Sequence, residues 1–151
     1  KFNGALTDLD LTLNQIGYQG ATAMSEALKV NGALTDLDLR LNHISDQGTT
    51  AIAEALKVNG ALTKLILWNN HISDEGAIAI AKALEVNGAL TTLDLDILGL
   101  GDNNIHDQGA AADLDLRLNH ISDQGTTAIA EALKVNGALT NLTLNNKSPR
   151  P

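Results

Sequence analysis

The chain has 151 residues, of which 44% are apolar, 19% are charged and none is cysteine; this length suffices for one packed domain, and disulfide scaffolds and thiolate metal sites are excluded. Its 10 Lys and Arg residues stand against 18 Asp and Glu residues, and the formal charge of −8 has the wrong sign for binding nucleic acid. No apolar run approaches the roughly 18 residues that a membrane span needs, so we exclude a transmembrane protein.

The sequence repeats itself with a period of 28 residues. Copies of one segment, LTDLDLTLNQIGYQGATAMSEALKVNGA in its first form, begin at Leu6, Leu34, Leu62 and Leu90. A fixed period of this length predicts a solenoid, in which each unit packs on its neighbours. Residues 113–140 repeat residues 36–63 letter for letter, which indicates duplication of a modular unit.

Each unit begins with a short strand and continues into a helix. From Leu37 to Arg40 the leucines alternate with polar residues, and this period of two predicts a strand with one buried face. From Ser45 onward the apolar residues follow the three-to-four spacing of an amphipathic helix. The residues of this apolar stripe are Ala51, Ile52, Ala55 and Leu56.

The ends of the helix also have sequence signals. We expect Ser45 or Asp46 to cap its N-terminus, and Lys57 places a cation in the last turn, where it suits the helix dipole. The following pair, Asn59 and Gly60, predicts a stop in the left-handed conformation. Asn-Gly is also typical of hairpins, but the pairs of this chain follow helical stripes, which favours the helix stop.

Stacked units place the strands in one parallel sheet and the helices in a second layer. Adjacent strands lie about 4.8 Å apart, whereas packed helices lie about 8–10 Å apart. The stack must therefore curve, with the sheet on the concave side and the helices on the convex side. The sequence thus predicts a curved α/β solenoid.

The pattern LxxLxLxxNxI, followed by a glycine four residues later, resembles the leucine-rich repeat of the ribonuclease-inhibitor-like class, a 28-residue form that also occurs in NOD-like receptors. In the first three units it is carried by Leu6, Leu9, Leu11, Asn14, Ile16, Leu34, Leu37, Leu39, Asn42, Ile44, Leu62, Leu65, Leu67, Asn70 and Ile72. The resemblance covers nearly the whole chain. It implies a ladder of inward asparagines that satisfy backbone groups where each strand ends, namely Asn14, Asn42, Asn70 and Asn119.

The unit that begins at Leu90 departs from the pattern. The asparagine expected at position 98 occurs at Asn103, and after Gly109 the sequence runs directly to Asp113, so that about a dozen helical positions are absent. We therefore expect one helix to be missing from the convex side in this fourth repeat. The repeats accordingly start near residues 6, 34, 62, 90 and 111, with a partial repeat from 139, in one domain that spans 1–151.

Two strand registers fit the fourth unit. The lead-in VNGALTTLDL favours a strand from Leu93 to Leu95 with the apolar residues 97–101 as a loop, whereas the alternative places Leu98 and Leu100 in the strand. The loop is either a partner contact or a remnant of imprecise duplication. Because neither end of the chain has the polar cap of a solenoid, we expect a piece of a longer protein.

The residues between the leucines face outward onto the concave surface and are candidates for binding. Eight aspartates oppose three cations there, so this face concentrates the negative charge of the chain and favours a basic partner. The alternative is that these aspartates only keep the sheet soluble. The candidate partner-binding residues are Asp36, Asp38, Arg40, Lys64, Ile66, Trp68, Asp94, Asp96, Asp115 and Arg117.

Trp68 is the only tryptophan, and with Ile66 it is apolar on an otherwise polar face. A large aromatic side chain near the centre of a concave face is typical of a binding hot spot. The alternative is a ring that lies on the aliphatic stems of Lys64 and Arg40.

Metal and cofactor sites have little support in the sequence. Three histidines, His43, His71 and His120, recur directly after an asparagine, but a neighbouring pair without a third ligand is a weak metal signal, so we expect exposed loop residues. Carboxylates on straight strands rarely surround Ca²⁺ or Mg²⁺. We therefore predict no metal and no cofactor.

A non-catalytic protein-interaction module in the cytoplasm is the function we expect, with a protein partner of basic character on the acidic concave face. The carboxylates lie on an open face, and no serine occupies a G-x-S-x-G turn. Self-assembly through the strand edges at both ends is one alternative. A regulatory GTPase activator is another, but such a protein uses an arginine on a loop, whereas Arg40 and Arg117 fall on strands and Arg150 in the tail.

Overall fold

The computed structural model describes residues 3–95 and 119–144. Within these ranges five short strands alternate with four helices, as the repeat predicts. The strands are β1 (Asp8–Asp10), β2 (Asp36–Asp38), β3 (Lys64–Ile66), β4 (Thr92–Asp94) and β5 (Asn141–Thr143). The helices are α1 (Tyr18–Leu28), α2 (Ser45–Leu56), α3 (Asp74–Leu84) and α4 (Asp123–Leu133). None of these helices is long and apolar enough to cross a membrane.

The strands form one parallel sheet in the order β1-β2-β3-β4-β5, and each helix packs on the next in a second layer. The central leucines of the strands share one register across the sheet, from Leu9 through Leu37, Leu65 and Leu93 to Leu142. The expected α/β solenoid with a parallel sheet and a row of helices is confirmed.

The core lies between the sheet and the helices. Leu37, Leu65 and Leu93 are buried on the inner side of the sheet, and Ile52 and Leu56 of α2 belong to the same buried cluster. Each such side chain stabilises the fold by about 1.5–3 kcal/mol on burial. The aspartates that alternate with the leucines are not buried, so the predicted two-sided strand is confirmed.

The asparagine ladder forms where the strands end. Asn42, Asn70 and Asn119 are buried, and each donates to carbonyl oxygens of its own and the preceding repeat. Asn42 also accepts the N–H of Ile16 at 3.0 Å. Asn14 is exposed and bonds only within its own repeat, because no preceding repeat covers it in the described part of the chain.

The Asn-Gly pairs do not end the helices in the left-handed conformation, so that prediction is wrong. No described glycine has a positive φ, and α2 ends at Lys57 with ordinary helical angles. Instead the Asn59 side chain accepts the N–H groups of Ala61 and Leu62, and its amide donates to Leu28 O of the preceding repeat at 2.7 Å. A second asparagine ladder therefore runs through Asn31, Asn59, Asn87 and Asn136.

The capping of the helix N-termini is shared between repeats. Ser45 has a φ of 61° and makes no cap, which contradicts the prediction, although Ser73 and Ser122 cap α3 and α4 as expected of their position. Asp46 caps the following helix instead of its own: its Oδ1 accepts the N–H of Ser73 at 2.7 Å and that of Gly76 at 2.9 Å. A carboxylate is favourable there because of the helix dipole.

The irregular fourth unit falls largely on residues 96–118, which lie outside the described residues, as do the missing helix and Asn103. On either side of this gap Leu93 of β4 pairs directly with Leu142 of β5, and α4 packs on α3. Asn119 donates to Leu95 O at 3.2 Å and occupies the ladder position of the repeat that begins with β4. It does so because residues 119–133 repeat residues 42–56 and supply both an asparagine and a helix.

Candidate functional site

The candidate site is the outer surface of the sheet, which we call the sheet face. In the described part of the chain it consists of Asp8, Asp10, Thr12, Asp36, Asp38, Arg40, Lys64, Ile66, Trp68, Thr92, Asp94, Asn141 and Thr143. It carries five carboxylates and two cations. The predicted residues Asp96, Asp115 and Arg117 lie outside the described residues, as does the apolar segment 97–101.

Strand register arranges these side chains in two rows across the sheet. One row is Asp8, Asp36, Lys64, Thr92 and Asn141. The other is Asp10, Asp38, Ile66, Asp94 and Thr143. Four of the five carboxylates thus lie on β1 and β2, apolar residues lie at β3, and β5 presents neutral polar groups. The sheet face is polarised along the solenoid.

Within the described residues, two ion pairs on this surface involve carboxylates of β2. Arg40 Nη2 lies 2.6 Å from Asp38 Oδ2, whereas Lys64 Nζ lies 3.9 Å from Asp36 Oδ1. Within residues 3–95 and 119–144 no ion pair reaches Asp8 or Asp10. These two cations therefore form their ion pairs with the carboxylates of β2 and not with those of β1.

Arg40 links three repeats through its side chain. Its Cζ lies 5.8 Å from the centroid of the Trp68 ring, and its Nε donates to Thr12 Oγ1 at 3.2 Å. Trp68 is half-buried, and a cation over an aromatic face is an attractive contact. The Trp68 ring thus contacts Arg40, as the alternative interpretation expected, and it is also partly exposed on the sheet face.

Asp10 is held in its charged form by its neighbour Thr12. The Thr12 hydroxyl and backbone N–H both donate to Asp10 Oδ1, and these hydrogen bonds lower the pKa of this carboxyl below 3.8. Because hydrogen bonds to the carboxylate favour ionisation, Asp10 stays charged at neutral pH.

A shallow depression of about 160 Å³ lies among the side chains of β1, β2 and β3. It is lined by Asp8, Asp10, Asp36, Asp38, Lys64, Ile66 and the backbone of the leucines between them. Sites for small molecules are usually larger and more enclosed, about 300–1,000 Å³. The depression is better suited to one or two side chains of a partner than to an enzyme substrate.

The histidines lie at the edge of the sheet face, where the strands run into the helices. His43 and His120 are exposed, and His71 is half-buried. His43 Nδ1 and His71 Nε2 lie 3.1 Å apart, a contact that repeat spacing alone did not reveal. The described residues contain no group of three or more His, Cys, Asp or Glu side chains arranged to hold a metal ion.

Comparison with known proteins identifies the family of this fold. The family model described as Leucine Rich repeat matches residues 5–25, 33–53, 61–81 and 113–130, which is more than half of the chain. The chain belongs to the leucine-rich-repeat family. No curated protein matches the sequence. The leucine-rich repeats that the pattern predicted are confirmed, and the sheet face is the outer surface of their strands.

Two solved structures share this leucine-rich-repeat architecture. One is actin-binding site 2 of leiomodin-1, with a TM-score of 0.72 and 25% identity, which covers 94% of this chain and 72% of that chain. The other is the C-terminal domain of tropomodulin from Caenorhabditis elegans, with a TM-score of 0.72 and 14% identity, which covers 98% of this chain and 78% of that chain. The second likeness concerns the fold alone.

Proposed function

We propose that this leucine-rich-repeat chain is a non-catalytic protein-interaction module that holds a basic segment of a protein partner on its sheet face. The observation that carries the proposal is the polarised arrangement of the face, with carboxylates on β1 and β2 beside the apolar side chains of Ile66 and Trp68. We also assign the repeats to the ribonuclease-inhibitor-like class, because their 28-residue period and LxxLxLxxNxI pattern recur in register.

Electrostatics supports a cationic ligand at the β1 end. Asp8 pairs with Asp36 in the register and Asp10 with Asp38, so like charges sit on adjacent strands. Two such charges about 4.8 Å apart repel by roughly 0.9 kcal/mol even in water. Arg40 and Lys64 offset part of this repulsion at β2, and a lysine or arginine of a partner placed beside β1 offsets it further. The field of the face also raises the association rate.

The apolar centre supports a protein ligand over a free cation. Ile66 and Trp68 are half-buried on the surface next to the acidic depression. Burial of an aromatic side chain at the centre of an interface contributes a large share of binding energy in many complexes. A partner segment with cationic side chains next to an apolar one matches both parts of the face.

The likeness to leiomodin-1 supports a protein partner as well. That structure is described as an actin-binding site, and its likeness extends over 94% of this chain. Actin is therefore the first protein to test. If actin binds, co-sedimentation that is lost in Asp38→Lys and Trp68→Ala supports the sheet face, and co-sedimentation that survives both variants contradicts it.

A peptide titration tests the chemistry of the face directly. The ligand is a short peptide that alternates Lys with Leu, and its counterpart alternates Glu with Leu; calorimetry gives both affinities. We expect binding of the Lys peptide only, and a loss of affinity in Asp38→Lys and in Trp68→Ala. Glu85→Lys is the matched control, because Glu85 is exposed at the end of α3 and carries the same charge change. Equal affinity in the control and the face variants would contradict the proposal.

The alternatives make different predictions. Self-assembly predicts that light scattering grows with protein concentration in the absence of any partner. A GTPase activator predicts stimulation that Arg40→Ala abolishes. The contacts of Arg40 with Asp38, Thr12 and Trp68 support a role in shaping the sheet face instead.

A further inference from the structure

His43 and His71 bring two ring nitrogens together at the same position of consecutive repeats. His43 Nδ1 and His71 Nε2 are 3.1 Å apart, and the ring centroids are 5.2 Å apart with an interplanar angle of 34°. Both histidines directly follow buried ladder asparagines, which fix the backbone on which they stand. His43 N–H donates to Ile16 O at 2.9 Å, and His71 adopts a φ of 62°. The ladder asparagines and the hydrogen bond to the preceding repeat therefore hold the backbone of the pair, although His71 has a positive φ that His43 and His120 do not share.

The separation of these nitrogens matches that of two ligands on one metal ion. Imidazole nitrogens bind Zn²⁺ at about 2.0–2.1 Å, so two of them on a tetrahedral ion lie roughly 3.3 Å apart. The observed 3.1 Å is close to this separation, and rotation of the two rings turns both nitrogens toward one ion.

The protons of the two rings allow both nitrogens to act as ligands. In the hydrogen-bonded pair one of the facing nitrogens carries a proton and the other accepts it. When His43 Nδ1 carries the proton, its transfer to Nε2 of the same ring leaves lone pairs on both facing nitrogens and keeps both rings neutral. No net proton has to be released, and no oxidant or reductant is required.

We propose that His43 and His71 form a two-ligand surface site for a divalent transition-metal ion, with water in the remaining coordination positions. Imidazole ligands suit Cu²⁺, Ni²⁺ and Zn²⁺, whereas Mg²⁺ and Ca²⁺ prefer oxygen. With two protein ligands the bound ion is held less firmly than in a four-ligand site and exchanges readily. The bound ion joins the second and third repeats, and this site does not depend on the proposed function of the sheet face.

Calorimetric titration of the tag-free chain with CuCl₂, NiCl₂ and ZnCl₂ tests the site. We expect Cu²⁺ to bind most tightly, in the order that imidazole sites follow. His43→Ala and His71→Asn should each lower the affinity by about tenfold or more, because one histidine loses the advantage of two linked ligands. Asparagine is chosen at position 71 because it tolerates the left-handed conformation. His120→Ala is the matched control, since His120 occupies the same repeat position outside the pair.

A second readout separates metal binding from a purely structural role. An ion that binds only the folded chain raises its melting temperature, so Cu²⁺ or Ni²⁺ should raise the Tm of the wild type and of His120→Ala but not that of His43→Ala. Nitrogen coordination should also be visible in the electron paramagnetic resonance spectrum of the Cu²⁺ complex. Unchanged affinity in His43→Ala and His71→Asn, or an equal loss in His120→Ala, would overturn the assignment.

Discussion

Replacing Asn70 by alanine tests the ladder that joins the repeats. The Asn70 side chain is fully buried. Its Nδ2 donates to Leu39 O at 2.8 Å and to Leu67 O at 3.0 Å, and its Oδ1 accepts the N–H of Ile44 at 3.3 Å. The Asn70→Ala variant loses all of these bonds and leaves polar backbone groups in the interior.

The loss of stability in Asn70→Ala depends on which of these backbone groups keep another hydrogen-bond partner. Leu39 O still accepts from Asn42, and Leu67 O still accepts from Asn119. Each of these two carbonyls therefore loses one net hydrogen bond, worth about 0.5–1.5 kcal/mol. The Ile44 N–H loses its ladder acceptor in a buried position, at a cost of about 1–3 kcal/mol. Together these terms lower the free energy of unfolding by about 2–6 kcal/mol.

The matched control is Asn14→Ala, at the same repeat position. Asn14 is exposed and donates only to Leu11 O and Thr12 O of its own repeat, so water replaces these bonds and the cost is about 1 kcal/mol or less. Urea unfolding followed by circular dichroism measures both variants. Equal losses of stability in the two variants would refute the reasoning, because burial and the bonds between repeats would then contribute nothing.

The remaining predictions concern packing, pH and the sheet face. Gly76→Ala should cost about 1–3 kcal/mol in urea unfolding, because its Cβ would lie 2.7 Å from an aspartate oxygen of the preceding repeat, whereas Gly88→Ala, with open space around it, should not destabilise. Hydrogen bonds from the Ser122 hydroxyl and N–H lower the pKa of Asp74 below 3.8 in the folded chain. Asp74 therefore contributes to stability above the pKa of the unfolded chain, and this contribution is lost as the pH falls through the pKa of the folded chain. The urea midpoints of wild type and Asp74→Asn should converge in acid, and a constant difference between them would contradict this. Arg40→Ala should shift the emission of the sole tryptophan to longer wavelength, and an unchanged spectrum would show that the arginine does not cover the ring.

The sequence predicted the features that repeat locally. The strands around Leu37 and Leu65 and their outward aspartates follow from the alternation of residues within one unit. The buried asparagines were implied by the resemblance to leucine-rich repeats. Each unit also meets the same neighbour in the same register, so the pairing of the strands followed from the period alone. The family and the α/β solenoid could therefore be inferred without coordinates.

The features that sequence reasoning missed depend on contacts between repeats. Asn59 was interpreted from its neighbour Gly60, but its partners lie across the repeat boundary, at Leu28 and Asn31. Asp46 likewise caps the helix of the following repeat. The recurrence of Asn-Gly in one register was a signal that could have found this second ladder, since buried amides at equivalent positions can bond from unit to unit.

The candidate site could be predicted only in part, because some of its contacts also join different repeats. The outward direction of Asp36, Asp38 and Ile66 follows from alternation along the strand. The side-chain contacts of the site depend on rotamers and on distances between repeats. The contacts of Arg40 with Thr12 and Trp68, for example, join residues 28 positions apart. No local pattern contains that information.

The proposed function places the partner on the sheet face and not on the helices. The most direct test is a ¹H–¹⁵N correlation spectrum of the chain during titration with the Lys-Leu peptide. The account predicts shifts of amide signals in β1, β2 and β3 and of the indole N–H of Trp68, with little change in α1 to α4. Shifts confined to the helices, or shifts that the Glu-Leu peptide reproduces, would contradict it.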